Sequence, residues 1–326
     1  MDSFDTHMIL AARETLRSHV LKTPLVHSQT LSRLCGCRVY LKMECWQTCG
    51  CFKIRGVTNF LITREKEVHE RGVVTASSGN HALALAYKAS KMGIKKVKIF
   101  LPEKADPAKV EKIRLLNVEP VCEGENFFAA FDGAQAYARR TGACYVHSHA
   151  DPQVIAGQGT IGLEILEDLP EVDSIVVPVG GGGLIAGIAA AVKTTAGDVK
   201  IFGAEPEASP GAYLSLQQGK PCERIDLKPS VADGLSGGFS PLPFSIAATR
   251  IERVVLAAER EIVAAMHAFF SAEQLVIEGA ASVGLAVLLS QKLGLSGQNV
   301  VLVVTGRNIN SQLFLSIINK EGNSKR

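Results

Sequence analysis

Three short segments hold the residues best able to do chemistry. Gly180 to Gly183 are four consecutive glycines, directly after the apolar run SIVVPV and directly before LIAGIAAAV. A strand that turns into a helix through glycines lets backbone N–H groups approach an anion, and the helix dipole favours negative charge at that end. A plain strand-to-helix turn rarely needs four glycines, so the run points to a phosphate cradle. It is not a Walker loop, because no Gly-Lys-Ser/Thr follows, and it lacks the GxGxxG spacing of dinucleotide-binding folds. The second segment, SSGNHA from Ser77 to Ala82, offers residues that can cap a helix. It also turns the Ser78 hydroxyl and the Asn80 amide toward a crevice where a polar ligand could bind. The third, CFKIRG from Cys51 to Gly56, places Lys53 just after Gly50 where a helix begins. A lone lysine is most often a solvated charge, so Lys53 draws its interest from its neighbours.

These segments need a scaffold that brings them together. Between about residues 70 and 150, β-rich runs alternate with helical stretches in the pattern of a parallel sheet. The strands are expected at VVTAS near Val73, VKIFL at Val97, VEPVC at Val118 and CYVHS at Cys144, with helices near Ala82 to Lys91, Pro107 to Leu116 and Phe127 to Arg140. A second set follows at SIVVPV from Ser174, VKIFGAEP from Val199, RVVLA from Arg253 and NVVLVVTG from Asn299. Two such sets predict two doubly wound α/β domains, with a ligand in the crevice at the carboxyl ends of the strands. LVHS at Leu25 and RVYLKME at Arg38 are further strands that could join either sheet. The stretch from Pro206 to Pro243 is rich in Gly, Pro and Ser, and it reads as loops over a site.

Composition narrows the function classes. The chain has 326 residues, 47% of them hydrophobic, and its 35 basic and 32 acidic residues are scattered along the sequence. No basic patch for nucleic acid and no membrane-binding stretch is expected. The N-terminus carries no cleavable leader pattern, so a cytoplasmic location is expected. Cys35, Cys37, Cys45, Cys49 and Cys51 crowd into one region, but without a CxxC pair or a nearby His they argue against a zinc site, and reduced thiols are expected.

Taken together, the three segments resemble the serine/threonine dehydratase and serine racemase group of pyridoxal-phosphate (PLP) enzymes. That group's pattern is S-F-K-x-R-G, S-S/T-G-N-H and G-G-G-G, in this order. Further matches are AGQGT at Ala156 to Thr160, ADG at Ala232 to Gly234, IEGAASVG at Ile277 to Gly284 and TGRN at Thr305 to Asn308, so that the similarity runs from Thr23 to Asn310. The resemblance implies a tryptophan synthase β-like PLP fold, two doubly wound parallel-sheet domains with the cofactor in the cleft between them. Residues 66–151 would form a small domain, and 1–65 with 152–326 a large PLP-binding one.

The resemblance also implies an ammonia-lyase that removes the β-hydroxyl from L-threonine, L-serine or a similar small hydroxy amino acid, giving a 2-oxo acid and ammonia. Its alternatives are an amino acid racemase and, from TGRN and EQLVIEG, the hydroxyectoine dehydratase branch. Lys53 would be the Schiff-base lysine, with Phe52 beside the cofactor. Asn80 would meet the ring's phenolic oxygen, Gly180, Gly181, Gly182 and Gly183 the phosphate, and Thr305 the pyridine nitrogen. Gly234 and Glu278 would complete the cofactor site. Ser77, Ser78, Gly79, His81 and His149 would face the substrate, with Ser78 at the position of the racemases' second-face base. A homodimer is expected on the same ground. Three departures stand out: Cys49 and Cys51 replace Thr and Ser around Gly50, His149 stands where relatives carry other residues, and Glu205 is followed by Pro210 and Gly211 where the family's divalent-cation site has an acid. No metal is therefore expected.

Overall fold

The computed structural model describes residues 4–105 and 107–322. Among the described residues, ten strands form two sheets. The larger has the order β1-β2-β10-β7-β8-β9, built from Leu25–Ser28, Arg38–Lys42, Asn299–Val303, Ser174–Pro178, Lys200–Pro206 and Arg253–Ala257. The smaller has the order β5-β4-β3-β6, from Val121–Cys122, Val97–Leu101, Val73–Ala76 and Cys144–Tyr145. The β1–β2 pair is antiparallel and every other pairing is parallel. Parallel strands covered on both faces read as continuous apolar runs, and β3, β7 and β10 are buried along their whole lengths. The open position of the N-terminal strands is settled by pairing: β2 lies against β10, with Val300 opposite Val39. Among the described residues, no helix is long and apolar enough to cross a membrane.

One glycine-rich segment, AGQGT, sets the helix packing. The helix Pro152–Asp168 starts with the Asp151 carboxylate accepting from the Gln153 and Val154 N–H groups, and Pro152 fills its first turn. It contains AGQGT, whose glycines are contact points. A Cβ on Gly157 would lie 2.7 Å from the Gly56 Cα, and one on Gly159 would lie 2.8 Å from the Gly187 carbonyl oxygen. The motif thus seats this helix between the Lys53–Thr63 helix and the Gly183–Thr195 helix. The other face of the Lys53–Thr63 helix packs Ile54, Val57, Phe60 and Leu61 into the core beneath β3, with Val73, Leu85 and Val146. This helix therefore contacts both halves of the molecule.

Three expectations need correction. The strand expected over VEPVC shrinks to Val121–Cys122, because Pro120 has no N–H for a ladder. CYVHS is a strand only at Cys144–Tyr145; beyond it the backbone turns into the cleft. The stretch from Pro206 to Pro243 is not all loop, since Gly211–Gln218 is helical and Asp233–Leu235 forms a 3-10 turn. Composition hid that helix because its N-terminus is held from outside: the buried Glu205 carboxylate accepts from the Ala212 and Tyr213 N–H groups at 2.8 and 2.9 Å.

Candidate active site

A cleft of about 840 Å³ opens where the carboxyl ends of the two sheets meet, and every residue expected to meet the cofactor or substrate lines it, while Cys49, Cys51 and Glu205 do not. The elements explain the convergence. Lys53 is the first residue of its helix; Ser77 to His81 span the turn from β3 into the helix Asn80–Lys91; Gly180 to Gly183 join β7 to the next helix. Glu278 immediately precedes the helix Gly279–Leu289, and Thr305 lies just beyond β10. Each element sends its functional end to one rim, as the doubly wound topology requires.

Lys53 Nζ donates to the Ser148 carbonyl at 2.8 Å and lies 5.1 Å from the Phe52 ring centroid. Burial lowers its pKa to about 8, against an opposing pull from Cys51 and Glu278. An amine of that basicity is partly neutral near neutral pH, as a base or nucleophile must be.

From Gly181 to Gly183 the loop is tight enough to exclude any side chain. Gly182 has φ of 95°, and an added Cβ there would stand 2.1 Å from Phe239. At Gly181 the Cβ would be 2.3 Å from the His149 ring, and at Gly183 it would be 2.5 Å from the His149 carbonyl oxygen. Gly234 comes from the 3-10 turn, with its Cα side against Ala280.

Asn80 does not cap its own helix through its side chain. Its Nδ2 instead donates to Glu278 at 2.8 and 3.1 Å, while its Oδ1 accepts from Asn308 Nδ2 at 2.7 Å. Ser77 Oγ accepts from the Gly79 N–H, leaving Ser78 on the cleft wall. Three histidines sit on the same side. His81 Nε2 bonds the Val146 carbonyl at 3.0 Å, and His147 Nδ1 accepts from the Ala150 N–H at 3.0 Å. His149 is held between Ser148 Oγ and Ser240 Oγ, 2.9 Å from each. Burial, with Lys53 close by, lowers His81 to about 3 and His147 to about 4, and holds His149 well below the usual range. All three are neutral imidazoles.

Sequence reasoning missed several of these partners. Asn308 had a weak signal in TGRN, but its bond to Asn80 spans most of the chain. Ser240, His147 and the Ser148 carbonyl had none. Arg55 was visible only as part of CFKIRG, yet it is fully buried and grips Glu44 and Glu164 through both oxygens of each. Lys42 joins this cluster at 2.6 Å from Glu164. Burial works against the Arg55 charge and the two carboxylates outweigh it, so its pKa is raised. Glu205 lies apart from the cleft's lining and serves the helix Gly211–Gln218; burial raises its pKa to about 8, against the pull of the two amide N–H groups.

A lysine amine of lowered basicity, set across from a loop that admits backbone but no side chain, suits a phosphorylated carbonyl cofactor. The chain matches the family described as pyridoxal-phosphate dependent enzyme over residues 16–306, and it belongs to that family. It is 42% identical over 313 residues to an L-threonine ammonia-lyase from Thermotoga maritima, covering 96% of this chain and 77% of the relative. The fold is similar to that of maize serine racemase, with a TM-score of 0.89 at 30% identity over 100% of both chains. It is also similar to the processed form of threonine deaminase isoform 2 from Solanum lycopersicum, with a TM-score of 0.88 at 28% identity over 98% of this chain and 90% of that one. The expected fold and cofactor are both met.

Proposed function

We propose that this chain is a PLP-dependent ammonia-lyase that removes the β-hydroxyl and amino groups from L-threonine, L-serine or a similar small hydroxy amino acid. The observation that carries the reading is the Lys53 amine, lowered to about 8 by burial and facing the glycine loop across one cleft. Lys53 would bond the cofactor, Gly180 to Gly183 would hold its phosphate, and Asn80, oriented by Asn308, would meet its phenolic oxygen. Phe52, Gly234, Glu278 and Thr305 would complete the cofactor's surroundings. When bound, PLP supplies an electron sink for charge left at the substrate Cα. The Lys53 amine would take the Cα proton, and the β-hydroxyl would leave as water, the Cα proton and the hydroxyl together making up the water lost. The unsaturated amine that results takes up water and gives a 2-oxo acid and ammonia. Ser77, Ser78, Gly79 and His81 would line the substrate's side of the cleft. His149, neutral and pinned by two hydroxyls, would shape the side-chain pocket without adding charge.

Ammonia and 2-oxo acid release from L-serine, L-threonine, their D-forms and hydroxyaspartate tests the proposal; no release from any of them would reject it. Racemisation is the second reading, favoured by the place of Ser78 on the cleft wall. The proposal extends to a cytoplasmic homodimer, checked by sedimentation, and to a small domain of residues 66–151 set against a large one of 1–65 and 152–326, checked by limited proteolysis.

A further inference from the structure

The segment Cys222–Lys228 crosses the mouth of the cleft, and its backbone is secured only at the ends. At one end the Cys222 N–H donates to Ser215 Oγ at 2.9 Å, and the Cys222 carbonyl accepts from the Phe239 N–H at 2.8 Å. The backbone there lies so close to Gly238 that an added Cβ would stand 2.1 Å from the Cys222 carbonyl oxygen. At the other end the Lys228 N–H donates to the Ala208 carbonyl at 3.0 Å. Among the described residues, no backbone hydrogen bond holds Glu223 to Leu227.

Space lies on both sides of this strap. Glu223, Arg224 and Leu227 wall the cleft, while Arg224, Ile225 and Asp226, with Pro210 and Leu214, line a shallow depression open to solvent. Arg224, in the middle of the strap, reaches across the mouth to the other sheet's helix, Phe127–Thr141. Arg224 donates to Asp132 at 3.4 Å, and its guanidinium carbon lies 5.2 Å from the Phe128 ring centroid. Both partners also line the cleft.

We infer that Arg224 is a latch: its contacts with Asp132 and Phe128 close the cleft between the two sheets, and the strap swings away from the cleft each time a ligand passes. An exposed ion pair with one cation–π contact is weak. That suits a device that must open once per turnover, since lids of this kind gate entry and release.

The test uses the holoenzyme and L-alanine, an amino acid with no β-leaving group, followed by stopped-flow absorbance of the bound cofactor. Arg224→Glu places a carboxylate opposite Asp132, and both binding and release rates should rise about 3- to 10-fold with little change in Kd. The exchanged pair Arg224→Glu with Asp132→Arg should return the rates toward wild type. Rates unmoved by Arg224→Glu, or not restored by the exchange, would overturn the latch. The optical signal rests on the lyase reading, so hydrogen exchange of the two bonded amides that anchor the strap, Cys222 and Lys228, is measured in the cofactor-free protein as well. Exchange should quicken in Arg224→Glu and slow again in the exchanged pair; identical exchange in all three proteins would refute the latch by itself. A wild-type holoenzyme whose absorbance ignores L-alanine would count against the lyase reading, leaving the exchange data to decide the latch.

Discussion

Asn308 Nδ2 donates to Asn80 Oδ1 at 2.7 Å and to the Cys49 carbonyl at 2.7 Å, so it fixes which end of the Asn80 amide faces Glu278 and the cleft. An amide without such an anchor can turn over, and half of its orientations would present an acceptor where a donor is needed. Asn308→Ala should weaken PLP binding by about 5- to 30-fold, the equivalent of one to two lost hydrogen bonds. Cofactor titration of the apoprotein measures this. Asn80→Ala should cost a similar amount, and the double variant should lose less than the sum, because the two residues act as one unit.

The lowered basicity of Lys53 sets a pH dependence with a definite sign. In the cofactor-free protein the amine is an ammonium below about pH 8 and neutral above it. Its reaction with trinitrobenzenesulfonate should therefore rise through about pH 8, whereas a solvated lysine rises near ~10.4. A midpoint above 10 would contradict the role of burial at this position. Lys53→Ala should abolish turnover and the visible absorbance of bound cofactor while leaving the circular dichroism unchanged. Normal activity in that variant would remove the central claim.

The glycine loop leads to a separate expectation. Gly181→Asp would drive a Cβ into the His149 ring and bring a carboxylate to the proposed phosphate position. PLP affinity should fall at least about 100-fold, as expected for adding like charge in a tight, low-dielectric site. Cofactor titration would show this directly, and unchanged affinity would place the phosphate elsewhere.

Arg55 gives a stability prediction. Arg55→Met would leave the fully buried Glu44 without its guanidinium and the partly buried Glu164 with Lys42 alone. Removing one partner from a buried ionic cluster typically costs about 3–5 kcal/mol. Denaturant unfolding should show a loss of that size. Arg55→Lys should recover only part of it, since an ammonium cannot fork across two carboxylates as a guanidinium does.

What can be read in the sequence is what neighbouring residues determine. Gly180 to Gly183 between an apolar strand and an apolar helix, and Lys53 at a helix start, announce their local geometry, so both are legible without the fold. The partners that orient them are remote. Asn80 meets Glu278 across 198 positions and Asn308 across 228, and nothing in a local pattern can pair them. Arg55 stands out in the sequence only as part of CFKIRG, because its two carboxylates come from separate elements. The helix Gly211–Gln218 is hidden for a related reason: its N-terminus is satisfied by Glu205, on a strand that ends before the loop begins.

The choice between elimination and racemisation turns on Thr305. It is 3% exposed and lines the cleft, and its carbonyl accepts from the Phe52 N–H at 3.1 Å, which ties it to the segment carrying Lys53. On the proposed reading its side chain faces the pyridine nitrogen. A carboxylate in that place would hold the nitrogen protonated and stabilise negative charge left at Cα, whereas a hydroxyl has no charge with which to do so. With weaker stabilisation, that charge has less time to take a proton on the opposite face, where Ser78 would supply it. Loss of a β-hydroxyl should then outrun racemisation whenever such a group is present. Elimination is therefore expected to be faster than racemisation on L-serine and L-threonine. Thr305→Asp should slow elimination and raise the share of D-product. The measurement is a paired assay of 2-oxo acid and D-amino acid from one reaction, in wild type and variant. If the wild-type enzyme makes mainly D-amino acid, the lyase assignment fails and the racemase reading, with Ser78 as the second base, takes its place.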